Sequence, residues 1–448
     1  MRKKIALLVV FCLCVSCQKT LEINTKYNIL KEQERGLLQD EILEDRFTNL
    51  LPQLMDNAAI DMWLLISREY NEDPILKTML PATWLHARRR TIIIFFRDKS
   101  KNTLERMAVA KYDIGKSIQS AWDTEKEPNQ WKALAEIIKD RNPEKIGINM
   151  SKHFALADGM VKTDYDALVE NLPTAFQNKV VSAEKLGIAW IETRTAMELI
   201  LFRELVKITH DIIDETFSAN LIQPGKTTTE DVVWGMRQKV TDLGLETWFH
   251  PTVAVQRDSE ALKSQMVSFS KGEKEKTIQK GDLLHCDFGI TYLGLNTDCQ
   301  QHAYILKDDE KEVPIFLKEA FKKGNRVQDI LTSNMRLGLT GNEILKSSLT
   351  QGRNEGLRPS IYTHPLGTYG HSAGTTIGMW DAQYGVPFNG AYPLHKNTAY
   401  AIELNTTVAI KEWNKDIRIM LEEAGFFGND TFEYIHKRQT EIKPIYIK

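Results

Sequence analysis

Cysteine is scarce in this 448-residue chain: of five in all, only Cys286 and Cys299 lie beyond the first seventeen residues. Two cysteines cannot build a disulfide scaffold. There is no basic excess either. A formal net charge of −2 lacks the electrostatic footprint of a nucleic-acid binder, so no nucleic-acid partner is expected. Apart from the N-terminus, no apolar run approaches the roughly 20 residues that a membrane-spanning helix needs. Thr91-Ile-Ile-Ile-Phe-Phe96 is long enough only for a buried strand. Internal repeats and low-complexity linkers are absent. What is present, 42% hydrophobic and 26% charged residues, is globular composition and excludes disorder, collagen and coiled coil. The length predicts two or three domains at roughly 150 residues each.

At the N-terminus, Arg2-Lys3-Lys4 precedes a mostly apolar stretch, Ile5 to Ser16, and then Cys17. A charged start, a short apolar core and small residues before the break read as a secretory signal. A helix of that length reaches only about 18 Å, short of a hydrocarbon core of about 30 Å. The ending Val15-Ser16-Cys17 resembles a bacterial lipoprotein signal, with Cys17 as the acylated first residue, although Cys14 stands where such signals carry Leu. The alternative is a plain signal peptide with an incidental cysteine. The expected location is the bacterial envelope outside the cytoplasm, periplasmic and lipid-anchored at Cys17, with membrane contact through that anchor alone.

Beyond the signal, helical stretches such as Leu30 to Arg46 lead to Asn57–Ile60, which closes a helix. Asp61–Ile66, Arg89–Phe96 and Lys145–Ile148 read as strands, with the helical segment Gln130–Ile138 among them. Strands alternating with helices predict an α/β domain over about residues 30–190. A long amphipathic helix begins near Thr195, where Met197, Leu201, Leu205, Ile208 and Ile212 recur every three or four residues. Pro224-Gly225 breaks it. Thr227 with Glu230 then matches a capping box for a second helix ending near Leu243. Short β-like runs follow at Thr252–Val255, Asp282–Phe288, Gln301–Ile305, Thr398–Leu404 and Ile417–Leu421. The C-terminal region therefore reads as an α+β domain of helices beside a mostly antiparallel sheet.

The chemistry starts at Asp287, set among mostly apolar residues and followed by Gly289, with Asp298 eleven positions later. That interval is hairpin-sized. If the two stand opposite each other, both side chains leave one face of the sheet. Two buried carboxylates side by side repel unless a cation joins them. Three more candidates follow: His371 in Gly370-His371-Ser-Ala-Gly374, and Glu403 and Glu422, each ending an apolar run. Taken singly they read as turn, loop and edge residues. Their order and spacing point instead to a divalent-metal site. Four carboxylates and an imidazole would neutralise two divalent cations and suit Mn, Fe, Co or Zn.

This ligand order resembles that of the pita-bread metallopeptidases, the family of methionine aminopeptidase, Xaa-Pro aminopeptidase and prolidase. The match covers about residues 191–448. The preceding region, with Asp61–Ile66 and Arg88-Arg89-Arg90, resembles the creatinase/prolidase N-terminal domain. The resemblance is thus to the two-domain Xaa-Pro branch. With the signal taken as 1–16, it implies an α/β creatinase-like domain over 17–190 and an α+β pita-bread catalytic domain over 191–448. It further implies that Asp287 holds one metal, that Asp298 and Glu422 bridge two, and that His371 and Glu403 complete the second site. Glu403 would be the general base, and a hydroxide between the metals would attack the scissile carbonyl of a small peptide. Manganese is the expected metal, with Co, Zn or Fe as alternatives, and a homodimer is the expected assembly. Two rival readings stay open: a non-catalytic binding protein on this fold, and a metal-free creatinase-like amide hydrolase.

The chain departs from the family pattern in several places. No His lies between Ala261 and Gln279, Trp380 precedes Asp381 where the family has a His, and Glu403 is followed by Leu404-Asn405 instead of Pro-Gly. His364, seven residues before His371, matches the family's substrate-side, catalytic His. His250 is either a substitute substrate-binding His or structural. Arg418 either steadies a substrate carboxylate or supports a ligand as an ion pair. His285, two residues before Asp287, shares its strand face. The register that pairs Asp287 with Asp298 also sets Cys286 opposite Cys299. Opposed β-carbons lie about 4.5–5.5 Å apart, wide for a disulfide, so two adjacent thiols are favoured over a bridge.

Overall fold

The computed structural model describes residues 27, 29–263 and 275–447. The expected signal and Cys17 lie outside the described residues. No helix among those described is long and apolar enough to cross a membrane.

The N-terminal domain is built on six strands: β1 (Met62–Arg68), β2 (Arg90–Asp98), β3 (Thr103–Ala108), β4 (Gln119–Ser120), β5 (Ile146–Ile148) and β6 (Val180–Ser182). They form one mixed sheet in the order β4-β3-β2-β1-β5-β6. The central strands read as unbroken apolar runs because both faces are covered. Trp63, Leu65, Ile93 and Phe95 join one core, whereas Met62, Leu64, Ile66, Ile92 and Ile94 join the other. Helices Glu32–Asp45 and Leu51–Ala58 flank the sheet, with a π-helical turn at Arg46–Leu50 between them. Helix Glu184–Glu192 packs Leu186, Ile188, Trp190 and Ile191 into the N-terminal core, so this domain continues to its end.

Helix Ala196–Thr216 opens the C-terminal domain where the periodicity places it, with Thr195 and Glu198 forming the capping box. Glu198 also accepts from Arg46, 2.7 Å away, and pairs with Arg194 at 2.9 Å. A helix cap is thereby one of the points at which the two domains are pinned. The second helix, Thr229–Asp242, is capped one residue later than expected, by Thr228 with Asp231. Thr227 is diverted because its hydroxyl accepts from the Gln223 amide and closes the preceding turn.

The remaining strands are β7 (Thr252–Gln256), β8 (Leu283–Phe288), β9 (Thr291–Tyr292), β10 (Leu295–Asn296), β11 (Cys299–Ile305), β12 (Pro359–Ile361), β13 (His364–Pro365), β14 (Thr398–Ala401), β15 (Leu404–Ile410), β16 (Lys415–Leu421), β17 (Ala424–Phe427), β18 (Phe432–Tyr434) and β19 (Lys443–Ile445). They form sheets β19-β11-β8-β7, β12-β15-β16 and β13-β14-β17-β18, with β9 and β10 as a ribbon. All neighbours are antiparallel except β11 and β19. Helix Ile315–Asn334, not read from the sequence, buries Leu317 and Phe321 in the core that also holds Leu404, Ile417 and Ile419.

The β8–β11 hairpin differs from the expected register. Gln300 stands opposite Asp287 and Gln301 opposite Cys286, a shift of two residues. The cause is the turn. Leu293 and Gly294 both have positive φ, 51° and 74°, as a two-residue hairpin loop requires. The ribbon pairs Tyr292 with Leu295, and that centre sets the whole ladder. A two-residue slip keeps every side chain on its face, so Asp298 stays on the side of Asp287. Cys286 and Cys299 become diagonal neighbours, and both are buried free thiols.

Candidate metal centre

Asp287 is the penultimate residue of β8 and Asp298 immediately precedes β11. Between them the hairpin neck closes so tightly that a Cβ on Gly289 would lie 2.1 Å from the Thr297 carbonyl oxygen, which only glycine permits. Glu403 occupies the short break between β14 and β15. Glu422 follows β16, and its carbonyl accepts from the Gln300 amide at 2.9 Å, which brings the sheets together. His364 on β13 stands opposite Ala401 on β14, two residues before Glu403.

The side chains converge. Asp287, Asp298 and Glu422 each offer a ligand atom, all within 4.8 Å of one another, and so do His364, Glu403 and Glu422. His364 Nε2 lies 3.5 Å from Glu422 Oε1, 3.8 Å from Asp298 Oδ2 and 3.9 Å from Glu403 Oε2. Its Nδ1 donates to the Pro365 carbonyl at 3.0 Å. The proton therefore sits on Nδ1, and a bare Nε2 lone pair faces three carboxylates. Nε2 of His364, one Oδ1 each of Asp287 and Asp298, and Glu422 Oε1 are buried without a hydrogen-bond partner.

Electrostatics tell the same story. Burial, then the Glu422 charge, pushes Asp287 and Asp298 well above the usual carboxylate range. Burial and then Glu422 do the same to Glu403, and burial raises Glu422 as well. Burial holds the His364 imidazole down at about 4, so it is neutral. Among the described residues, no Lys or Arg forms an ion pair with these four acids. A neutral imidazole lone pair and four oxygen ligands fit divalent Mn, Fe, Co or Zn.

The grouping of the histidines differs from the expectation, which has His371 as the ligand beside Glu403 and His364 as the substrate-side histidine. In the structure His364 groups with Glu403 and Glu422, whereas His371 groups with Asp298 and His364 at the exposed edge. The two rings lie 4.7 Å apart, edge to face, and His371 also stands against Trp248 at 5.3 Å. The sequence does not separate them, because each histidine is followed by a glycine three residues on, Gly367 and Gly374. The segment carrying His371 is pinned on the N-terminal domain. Tyr369 donates to the Pro74 carbonyl at 2.8 Å, and Ala373 joins the N-terminal core.

A cavity of ≈ 510 Å³ opens on the acids and is lined by His250, His285, Asp287, Tyr362, Glu403 and Arg418 among others. His250 sits at its outer part, 3.8 Å from Glu230 and edge-on to Trp234. The Arg418 guanidinium donates to the Lys263 carbonyl at 3.2 Å. Two residues in this site escaped the sequence reading. The Tyr362 hydroxyl hydrogen-bonds Glu403. Gln300 Nε2 donates to Glu403 and, at 2.8 Å, to Glu422, while its Oε1 lies 2.9 Å from His285 Nε2. On the opposite face of the sheet, Glu423 is fully engaged by His210, Gln301 and Gln439.

A model of metallopeptidase family M24 matches residues 201–424, which holds all four acids' positions and both histidines. The chain belongs to metallopeptidase family M24. Its fold is shared with solved structures across both domains. An X-Pro aminopeptidase from Thermotoga maritima MSB8 has a TM-score of 0.60 at 15% identity, covering 88% of this chain and 100% of that one. An Xaa-Pro dipeptidase from Bacillus anthracis has a TM-score of 0.57 at 17% identity, covering 93% and 100%. A prolidase from Pyrococcus horikoshii OT3 has a TM-score of 0.53 at 15% identity, covering 91% and 99%. No curated protein matches the chain in sequence. The creatinase-like α/β domain and the pita-bread domain are those that the family carries.

Proposed function

We propose that this M24 chain is a dinuclear-metal peptidase that removes or splits off residues next to proline in small peptides. The observation that carries the reading is the Nε2 of His364 aimed at three buried acids with which, among the described residues, no lysine or arginine pairs. Asp287, Asp298 and Glu422 would hold one divalent ion, and His364, Glu403 and Glu422 the other. Such ions supply an activated water and polarise the scissile carbonyl. The Xaa-Pro assignment is supported by the activities of the Thermotoga maritima and Bacillus anthracis proteins that share the fold.

The chain's own groups do the rest. Glu403 would accept the water proton and return it to the leaving nitrogen. His371, exposed beside His364, faces the substrate. Arg418 and His250 line the cavity that receives the peptide. The N-terminal domain holds the His371 segment in place through Tyr369. Manganese is proposed as the working metal, a homodimer as the assembly, and a lipid anchor at Cys17 as the tether to the bacterial envelope.

The test is hydrolysis of Xaa-Pro dipeptides and longer Xaa-Pro peptides by purified protein with and without Mn²⁺. Metal-dependent release of the N-terminal residue is expected. Fully metal-loaded protein that cleaves no peptide would remove the peptidase reading and leave a binding protein. Mass spectrometry of the membrane fraction tests the anchor, and an unmodified Cys17 would end it.

A further inference from the structure

Gln300 is a neutral side chain in the middle of the carboxylate floor. It stands opposite Asp287 in the β8–β11 ladder, and its backbone bridges to Glu422. It is buried, 3% exposed. Its amide nitrogen donates to Glu403 Oε1 and to Glu422 Oε2, and its oxygen meets His285 Nε2 at 2.9 Å. Only this orientation works, because a flipped amide would aim its oxygen at two carboxylates. His285 must then donate from Nε2.

His285 is itself held in place. Its ring lies 5.1 Å from that of His302. His302 Nδ1 donates to the Leu284 carbonyl at 2.9 Å, and its Nε2 accepts from the Met420 amide at 3.1 Å. The backbone thus fixes the His302 ring, His285 packs against that ring, and His285 meets Gln300 through its Nε2.

The consequence lies in the oxygens that Gln300 does not touch. It holds Oε1 of Glu403 and Oε2 of Glu422. The other two, Glu403 Oε2 and Glu422 Oε1, are the ones that face His364 Nε2, at 3.9 and 3.5 Å. One amide thus sorts both carboxylates. A lysine or arginine there would bring its own positive charge into the place of a cation. A serine has only one proton to give.

We infer that Gln300 is a positioning residue of the metal centre: oriented by His285, its amide holds one oxygen each of Glu403 and Glu422 so that their second oxygens are presented to divalent ions. This rests on the metal-centre reading above.

The experiment compares wild type with Gln300→Met, His285→Phe and His285→Gln. It reads Mn²⁺ binding by calorimetry, the electron paramagnetic resonance spectrum of the bound Mn²⁺, and kcat separately from KM. Removing a partner of a ligand typically weakens metal binding or activity by roughly 10–100-fold. Gln300→Met is expected to lose that much Mn²⁺ affinity, to change the Mn²⁺ spectrum, and to lower kcat with KM nearly constant. His285→Phe is expected to move all three the same way. His285→Gln keeps a donor at similar reach and should recover most of the loss. Wild-type affinity and an unchanged spectrum in Gln300→Met would overturn the inference. If that variant fails to fold, equal behaviour of His285→Phe and His285→Gln overturns it, and a clear difference between them supports it. Wild type that takes up no Mn²⁺ would overturn the metal-centre reading itself, with this inference falling alongside it.

Discussion

Glu422→Gln separates what the site costs the fold from what it does. The change is nearly isosteric and leaves an oxygen to accept from Gln300. In the metal-free protein Glu422 carries a pKa raised by burial from 4.5 to about 8. A carboxyl raised in the fold keeps its proton there while the unfolded chain has lost it. The stability it subtracts therefore appears as pH rises above about 4.5 and grows until about 8. At about 1.4 kcal/mol per pKa unit, that subtraction reaches roughly 3–5 kcal/mol at neutral to slightly alkaline pH. The glutamine mimics the protonated acid and escapes it. Thermal unfolding of metal-free protein should thus show the variant melting roughly 3–6 °C above wild type at slightly alkaline pH. The two curves should converge near pH 4.5–5, around the ordinary carboxyl value. Mn²⁺ should raise the wild-type midpoint and move the variant far less, and the variant should be inactive. A variant less stable than wild type at neutral pH, or a gap independent of pH, would refute the reasoning.

Further outcomes follow from the same geometry. His364→Ala should weaken Mn²⁺ binding by roughly 100-fold in calorimetry, whereas His371→Ala should keep the metal and lose kcat; the opposite ranking would return the ligand role to His371. Arg46→Met leaves the buried Glu198 with Arg194 alone, and urea denaturation should show a loss of roughly 2–4 kcal/mol; an unchanged midpoint would mean that the domains do not depend on this pair. Cys286 and Cys299 should be unreactive to a thiol reagent in the native protein and both titrate on unfolding without reductant. A missing pair of thiols would show a bridge instead.

The architecture was legible wherever burial imposes a pattern. β1 and β2 announce themselves because both faces are covered, and the helix from Ala196 because Thr195 and Glu198 cap it. The edge strands β4 and β6 are short and, like the inner strand β3, partly exposed, so they carry little pattern. The hairpin register was hidden for a geometric reason. Shifting it by two residues changes no face, and its centre depends on Leu293 adopting a left-handed backbone, which leucine rarely does. The four acids could be found by charge and order. The choice between His364 and His371 could not, since each is followed by glycine at the same interval. Gln300 was invisible to a search for charged ligands because its value at this place lies in being neutral.

The most direct test of the central claim is the anomalous difference map of crystals soaked in Mn²⁺. Two peaks are expected, one among Asp287, Asp298 and Glu422 and the other among His364, Glu403 and Glu422. An empty site in crystals of protein that binds Mn²⁺ in solution, or density confined to His210, Cys299 and Glu423 behind the sheet, would contradict it.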